Sequence, residues 1–239
     1  MSTDVIPDPG AIAGLDLLLG LSGAVIIEAT SLARCRAVSQ GARIFDQGES
    51  TVRAHALLAG GVRISQFGSD GEQIVIRFIG AGEIFGGAAI YTDGRYPGEA
   101  IAIADSLEIS WSQSEWHGLL ERHPQIAINV IAIIGRRLAE LQERVRELAT
   151  QRAERRIAHS LLRLLRQAGR SSATGTEIAF PLRRKDIADI SGTTLHTVSR
   201  VLTEWQRKGL LVSRAQRLTI LAVDEIRRIA ETITAANRR

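Results

Sequence analysis

The sequence predicts an α+β chain: a β-rich first half, one long helix, and a helical C-terminal third. Three observations point there. Twelve of the 22 glycines fall between Gly41 and Gly98, punctuating short β-branched runs. Apolar residues recur by threes and fours from Ala127 to Leu148. The charge changes sign along the chain. Residues 1–149 hold 12 Arg and no Lys against 18 Asp and Glu, whereas residues 150–239 hold 18 Arg and Lys against 8 Asp and Glu. The net +4 of all 239 residues thus divides into −6 and +10. This length, at 45% hydrophobic residues, suffices for two cores, and the basic third calls for a polyanionic partner.

Composition removes several classes. The single cysteine, Cys35, excludes an intrachain disulfide framework, and a four-cysteine zinc or iron–sulfur site from this chain alone; it reads as a packing residue. The apolar stretch Ala11–Ile27 is short for a membrane span and is interrupted by Gly14, Asp16, Gly20, Ser22 and Gly23. Asp4 and Asp8 precede it, the wrong charge for a signal peptide. The expectation is a cytoplasmic chain with no membrane partner; an interfacial N-terminal helix is the alternative.

The β-rich part spans residues 21–122. Its expected strands are Ala42–Phe45, Ala56–Ala59, Val62–Phe67, Gln73–Ile79, Ala100–Ala104 and Ser106–Trp111. Turns at Ser69-Asp70-Gly71 and Thr92-Asp93-Gly94 make them antiparallel hairpins closing into a barrel or sandwich.

Residues 123–149 form the long helix. His123-Pro124 is a start signal, because proline is tolerated in the first turn. Ala127, Ile131, Ile134, Leu138, Leu141, Val145 and Leu148 then alternate by four and three, a heptad seam. Arg136, Arg137, Glu140, Glu143, Arg144, Arg146 and Glu147 flank it as a solvated face. At 1.5 Å per residue the stretch that carries the seam runs about 35 Å. A narrow seam with charged flanks predicts a homodimer interface; packing against its own β-domain is the alternative.

Residues 150–232 carry the chemistry. Arg155–Ala168 is an amphipathic helix with Ile157, Leu161, Leu164 and Leu165 inward, and Gly169–Thr176 is a polar loop. Arg184–Thr203 then has helix-turn-helix spacing: Ala188 lets two helices approach, Gly192 four positions on relaxes the turn, and Val198 and Val201 pack the second helix back. Thr193 is the expected N-cap. Leu195, Val198, Leu202 and Trp205 form the expected buried side, while His196, Ser199, Arg200, Thr203 and Arg207 share the opposite side. Such a row suits a major groove, where Arg reads guanine O6 and N7 and Ser or Thr contacts base edges or phosphate. Arg183, Arg184 and Lys185 open the first helix where it would cross a phosphate backbone. Leu210–Val212 and Arg217–Leu221 bracket a turn, a β-wing with Arg214 and Arg217 near its tip. The expected DNA-contacting set is Arg183, Lys185, Thr194, His196, Thr197, Ser199, Arg200, Arg214 and Arg217. No Ser-His-Asp spacing, metal pair or phosphate-binding Gly-x-Gly-x-x-Gly before a helix is present, so no enzyme activity is expected.

At these residues the chain resembles the Crp/Fnr superfamily of bacterial transcription regulators, from about Leu21 to Ile229. Gly41-x-x-Ile44-Phe45-x-x-Gly48-Glu49, His55–Arg63 and Gly80-x-Gly82-Glu83-Ile84-Phe85-Gly86 resemble that family's cyclic-nucleotide-binding-type jelly roll. The dimer helix and winged helix-turn-helix follow in family order. The resemblance implies a homodimer that binds a palindromic double-stranded DNA operator, works with RNA polymerase, and responds to a signal in the jelly roll. Cyclic-AMP-binding members carry a Phe-Gly-Glu whose carboxylate holds the ribose, and an Arg-Ser/Thr-Ala that neutralises the phosphate. Here Phe85-Gly86-Gly87 and Pro97-Gly98-Glu99 stand at those positions. Gly87 lacks the carboxylate, Pro97 lacks the guanidinium, Glu99 would repel a phosphate, and Arg95 is two positions off. The expected effector pocket is Phe85, Gly86, Gly87, Tyr91, Arg95, Tyr96, Pro97 and Gly98, with Gly87 and Gly98 emptying it.

The recognition segment Gly192–Arg200, with Tyr91, Tyr96-Pro97 and Ile109-Ser110-Trp111, most resembles the nitric-oxide-responsive NnrR/DNR-like branch. That implies an activator of denitrification or nitrogen-oxide genes with haem as cofactor, and no iron–sulfur cluster. The iron ligand is unknown from sequence; candidates are His55, His117, His123, His159, Tyr91, Tyr96 and Cys35. His196 stands where most members have Glu, which alters the base read there, while Ser199 and Arg200 match positions that read a TTG-like half-site. Two alternatives remain: a regulator with no small ligand that is always DNA-competent, and one sensing a cyclic nucleotide through a non-standard pocket.

Overall fold

A computed structural model describes residues 3–4 and 9–231; position 232, the expected end of the third segment, lies just outside them. The chain divides into two compact units, one ending at Leu141 and the other beginning at Gln142.

The first unit opens with β1 (Thr3–Asp4), α1 (Pro9–Ala13), a 3-10 turn at Asp16–Leu18 and α2 (Gly23–Leu32). Ile12, Leu15, Leu17 and Leu18 are buried, so this apolar stretch feeds a core. No helix among the described residues is long and apolar enough to cross a membrane. The strands are β2 (Arg34–Val38), β3 (Arg43–Phe45), β4 (Arg53–Ala59), β5 (Val62–Phe67), β6 (Gln73–Ile79), β7 (Ile84–Phe85), β8 (Glu99–Ala102) and β9 (Ser106–Ser112). They form two antiparallel sheets, in the orders β1-β2-β9-β4-β7 and β3-β8-β5-β6. β5 and β6 have the bounds expected from sequence, and β4 begins three residues earlier than expected. β2 lies outside the expected runs, although Cys35 and Val38 are its buried positions.

Alternation along β4 and β9 builds two cores, because successive side chains point to opposite faces. Ala54, Ala56, Ile109 and Trp111 join Leu17, Leu18, Trp116 and Leu119 in one. Phe45, Leu57, Val62, Phe85 and Tyr96 make the other, and the opposite alternation also turns His55 and Glu108 inward. Both are almost wholly buried and bonded to each other: His55 Nδ1 lies 2.7 Å from Glu108 Oε2, and His55 Nε2 lies 3.0 Å from the Tyr96 hydroxyl. Arg36 closes the far side of the carboxylate, and Tyr96 accepts the Arg53 amide at 2.7 Å. Burial alone would raise the Glu108 pKa, but the His55 hydrogen bond and the charges of His55 and Arg36 outweigh it and hold the carboxyl low.

After α3 (Gln113–Arg122), begun by a capping box of Ser112 and Glu115, comes α4 (Pro124–Thr150). It carries two stripes. Ile126, Val130, Ile133 and Arg137, followed by Arg144 and Glu147, face its own chain; of these Ile126, Ile133 and Glu147 are buried. One position further on lies the heptad seam. Ile131, Ile134, Leu138, Leu141, Val145 and Leu148 are 45–68% exposed, and Ala127 is half-buried. The own-domain packing and the free seam therefore coexist. Arg137, Arg144 and Glu147 leave the expected solvated face, because the helix turns them onto neighbouring elements.

The second unit adds α5 (Ala153–Ala168), β10 (Gly169–Ser171), β11 (Thr176–Ile178), α6 (Arg184–Ser191), α7 (Leu195–Arg207), β12 (Leu211–Arg214), β13 (Arg217–Ile220) and α8 (Val223–Glu231). Its sheet order is β10-β11-β13-β12. Ile157, Leu161, Ile187, Val198, Leu202, Trp205 and Ile220 are buried. The last turns of α4 are tied to this unit. Glu147 accepts Arg163 Nη1 at 2.7 Å, and Arg144 donates to the Asp189 carbonyl at 3.2 Å.

Replacing Glu108 by Gln leaves Arg36 and His55 facing an uncharged group in a dry interior. It should cost about 3–5 kcal/mol of unfolding free energy, measured by urea denaturation at neutral pH. In the parent chain the depressed carboxyl contributes stability above its ordinary pKa, and that stability should fade as pH falls through the lower folded value. The Gln variant should lack this acid-side loss.

Candidate nucleic-acid interface and sensor interior

α6 and α7 form the helix-turn-helix. α6 ends on Gly192 at φ +61°, a left-handed position that side chains resist, and a Cβ there would also meet the Leu148 side chain at 2.3 Å. Arg156 fastens the turn by donating to the Ser191 and Gly192 carbonyls, at 2.9 Å each. The N-cap of α7 is Thr194, one residue beyond the expected Thr193; its Oγ1 accepts the Thr197 amide at 3.1 Å. Val198, Val201, Leu202 and Trp205 face inward. Leu195 does not: at the first helical position it is 49% exposed, beside the polar face it was expected to oppose.

His196, Ser199, Arg200, Thr203 and Glu204 line one open groove of about 480 Å³. Among the described residues, the His196 and Arg200 side chains have no intramolecular hydrogen bond or ion pair, so the donors are available to a ligand. Arg214, at the wing, is likewise unengaged. The wing turn is tight, with Ala215 and Gln216 both at positive φ, as a two-residue hairpin requires. Gln216 is anchored through its carbonyl, which accepts the Leu182 amide at 2.7 Å.

The other expected DNA contacts have internal work. Arg183 clamps Asp186 through Nε and Nη2, at 3.0 and 2.6 Å, and this pairing raises its pKa further. Lys185 pairs with Asp189 at 2.6 Å, and Arg217 with Glu177 at 2.7 Å. Thr194 and Thr197 share a hydroxyl–hydroxyl bond of 2.9 Å.

The expected effector residues separate into two groups. Phe85, Gly86 and Tyr96 meet inside the β-roll, with Gly87 against Ala54 and Gly98 against the Ser65 carbonyl. Tyr96 stacks on Phe45 at 3.7 Å between ring centres, with Phe85 6.1 Å from the same ring. Burial pushes the Tyr96 hydroxyl up to about 12, so it stays a neutral hydrogen-bonding group. Tyr91, Arg95 and Pro97 are exposed instead. Tyr91 accepts Trp116 Nε1 at 3.0 Å, Arg95 donates to the Gly48 carbonyl at 2.8 Å, and the Pro97 carbonyl accepts Gln66 Nε2 at 3.0 Å. Gly98 does not empty a pocket: a Cβ there would sit 2.5 Å from the Ser65 carbonyl, so the missing side chain lets chain segments close together. Glu99 is buried, bonded by Gln73 and 3.7 Å from Arg43. His55 and Glu108 are the interior polar pair that composition alone did not single out, and their inward places in alternating strands were the available signal.

Comparison with known proteins agrees with this geometry. Residues 155–229 match the Crp-like helix-turn-helix domain, and residues 35–123 match the cyclic nucleotide-binding domain. The cyclic AMP receptor protein of Thermus thermophilus is 30% identical over 198 residues, covering 83% of this chain and 88% of that one. The nitrogen fixation regulation protein FixK of Azorhizobium caulinodans is 28% identical over 184 residues, 77% of this chain and 73% of its own. The solved structure of FixK2 from Bradyrhizobium japonicum shares the fold, with a TM-score of 0.72 at 24% identity over 84% of this chain and 99% of that one. A β-roll of this topology followed by a helix-turn-helix with an unengaged reading face, together with these relatives, places the chain in the Crp/Fnr family of DNA-binding transcription regulators.

Proposed function

We propose that the chain acts as a homodimer that reads a palindromic operator and activates transcription with RNA polymerase, gated by a signal other than cyclic AMP held in the usual family manner. The exposed seam of α4 carries this reading. Six large apolar side chains at heptad spacing remain 45–68% exposed in their own chain, and a second copy of the same helix is the surface that fits them. Pairing two copies offers two α7 helices to successive major grooves about 34 Å apart. The gating assignment rests on the β-roll interior. Gly87, Pro97 and Glu99 supply neither the ribose-binding carboxylate nor the phosphate-binding guanidinium, and Tyr96 and His55 fill space beside Gly86.

Nitric oxide sensed through haem, with control of denitrification genes, is what the branch resemblance implies, and the described donors fit haem poorly. Both nitrogens of His55 are committed, and Cys35 is buried in β2. His123 Nε2 lies 2.7 Å from Glu28. His159 belongs to the second unit, near Glu147. The half-buried His117, tilted against Tyr91 with ring centres 5.6 Å apart, is the remaining imidazole of the first unit. The haem reading therefore rests on His117 among the histidines of the first unit.

Three measurements test these assignments. Leu138→Asp puts a carboxylate in the seam; sedimentation should change from dimer to monomer, with operator affinity lowered about 100-fold or more through lost bivalency. Retention of the dimer would remove the seam assignment. Arg200→Ala should cost about 1–3 kcal/mol on an operator selected from random duplexes and relax preference at one base pair, read by fluorescence anisotropy. Unchanged affinity and preference would move recognition off this face. Titration with haem, followed by absorbance near the Soret region, should show no stoichiometric complex and no change with nitric oxide. A saturable Soret band lost in His117→Ala would establish the haem reading instead.

A further inference from the structure

A second cavity in the first unit has no part in the reading above. It measures about 70 Å³ and is bounded by Arg77 of β6, Glu83 and Ile84 at β7, and Ile133, Arg136, Arg137 and Glu140 of α4, with Asp16 at its edge. One probe-sized water needs about 10–15 Å³ of such space, so several waters or one small oxyanion fit. These residues differ from the phosphate-cradle positions at Gly87 and Pro97–Glu99.

Three guanidinium groups and three carboxylates surround it, and their pairing is uneven. Arg136 pairs with Asp16 at 3.1 Å. Arg77 pairs with Glu83, whose second oxygen accepts the Gly80 amide at 2.7 Å. Among the described residues Arg137 has no carboxylate within ion-pair distance. Among the described residues its guanidinium has one protein partner, the Ile84 carbonyl, and the side chain lines the cavity. Burial is the main cost to this cation, and the neighbouring Arg77 adds repulsion; together they pull its pKa down to about 10, against weaker attraction from Glu83, Glu140 and Asp16. A planar fork of donors, partly desolvated and beside a second guanidinium, matches the two oxygens of a carboxylate or a comparable inorganic oxyanion. Glu140 is exposed at the rim and, with Glu83 and Asp16, opposes such a ligand; Glu83 and Asp16 are each already paired to an arginine.

We propose that Arg137 and Arg77 form a binding site for a small oxyanion, and that occupancy regulates the chain by joining the β-roll to α4. An anion between the two guanidinium groups cancels their repulsion and bridges β6 to the helix. Leu138 follows Arg137 directly, and Ile134 and Leu141 lie one turn away on either side, so a change in how α4 is held reaches the seam. This regulatory part rests on the dimeric operator-binding reading; the binding site itself does not.

Thermal unfolding of the full chain, with sodium phosphate, acetate and nitrate each compared with chloride at equal ionic strength, tests the site. At least one oxyanion should raise the Tm saturably, by about 3–6 °C well above its Kd. Arg137→Gln should abolish the rise. Arg137→Lys keeps the charge but not the fork, so it should weaken binding if the Gln variant folds poorly. Glu140→Gln removes an opposing carboxylate and should tighten binding severalfold. Arg200→Ala should lose operator affinity yet keep the anion response, which separates failure of the site from failure of the DNA-reading assignment. No saturable rise with any of the three anions, or an equal rise in Arg137→Gln, overturns the site. Saturable binding without any change in dimerisation or operator affinity overturns the regulatory role.

Discussion

Two adjacent stripes of α4 serve two different partners, and this constraint organises the molecule. A helix turns 100° per residue, so two seven-residue repeats offset by one position lie side by side rather than opposed. The stripe from Ile126 to Glu147 is committed to the chain's own elements. The adjacent stripe from Ala127 to Leu148 is not. The committed stripe changes chemistry along its length. Ile126 and Ile133 enter the apolar core of the first unit, Arg137 donates to the Ile84 carbonyl, and Arg144 and Glu147 make polar contacts in the second unit. The neighbouring stripe stays apolar throughout. A uniform apolar seam suits a partner that is another copy of the same helix, whereas the varied stripe suits the different surfaces one chain offers.

The β-roll solves a different problem. Its interior holds a carboxylate, an imidazole and a phenol, groups that are expensive to bury singly. They are tolerated because each satisfies the next: Arg36 and His55 around Glu108, Tyr96 against His55, and the Arg53 amide on Tyr96. Tyr96 links this polar chain to the aromatic stack on Phe45. Tyr96, which precedes the departures from the nucleotide-binding pattern at Pro97 and Glu99, closes the interior.

Much of this was legible in the sequence, and the remainder has identifiable causes. The glycine spacing located the hairpins because turns need backbone freedom, and the seam was readable because nothing in the chain interrupts its period. The helix-turn-helix was visible because Gly192 and Ala188 answer to steric limits that few other residues meet. Charged members of the committed stripe were misassigned to solvent, since Arg137, Arg144 and Glu147 look the same in sequence whether solvated or bonded. Thr193 and Thr194 are chemically equivalent as caps, so only backbone geometry selects the second. Leu195 was placed inward by periodicity, yet the first turn of α7 lacks an element above it to cover that side chain. Tyr91, Arg95 and Pro97 were grouped with the interior by proximity in sequence, but a 3-10 turn at Gly87–Tyr91 and the exposed return to β8 carry them away from it.

The basic charge of the C-terminal third has a narrower meaning than its total suggests. A cation already bonded to a carboxylate contributes little free field to a phosphate backbone, and recruiting it requires breaking the internal pair. Arg163, Arg183, Lys185, Arg207, Arg217, Arg227 and Arg228 all have carboxylate partners within the second unit. Arg156 is spent on the carbonyls of the helix-turn-helix turn. Arg200 and Arg214 are not so engaged, and they stand on the two elements that a winged helix-turn-helix presents to DNA. Counterion release counts phosphates neutralised rather than arginines encoded. The electrostatic footprint is then set by the few unengaged guanidinium groups, while the paired ones fix the shape that aims them. Net charge located the module; internal pairing decides which of its charges reach the duplex.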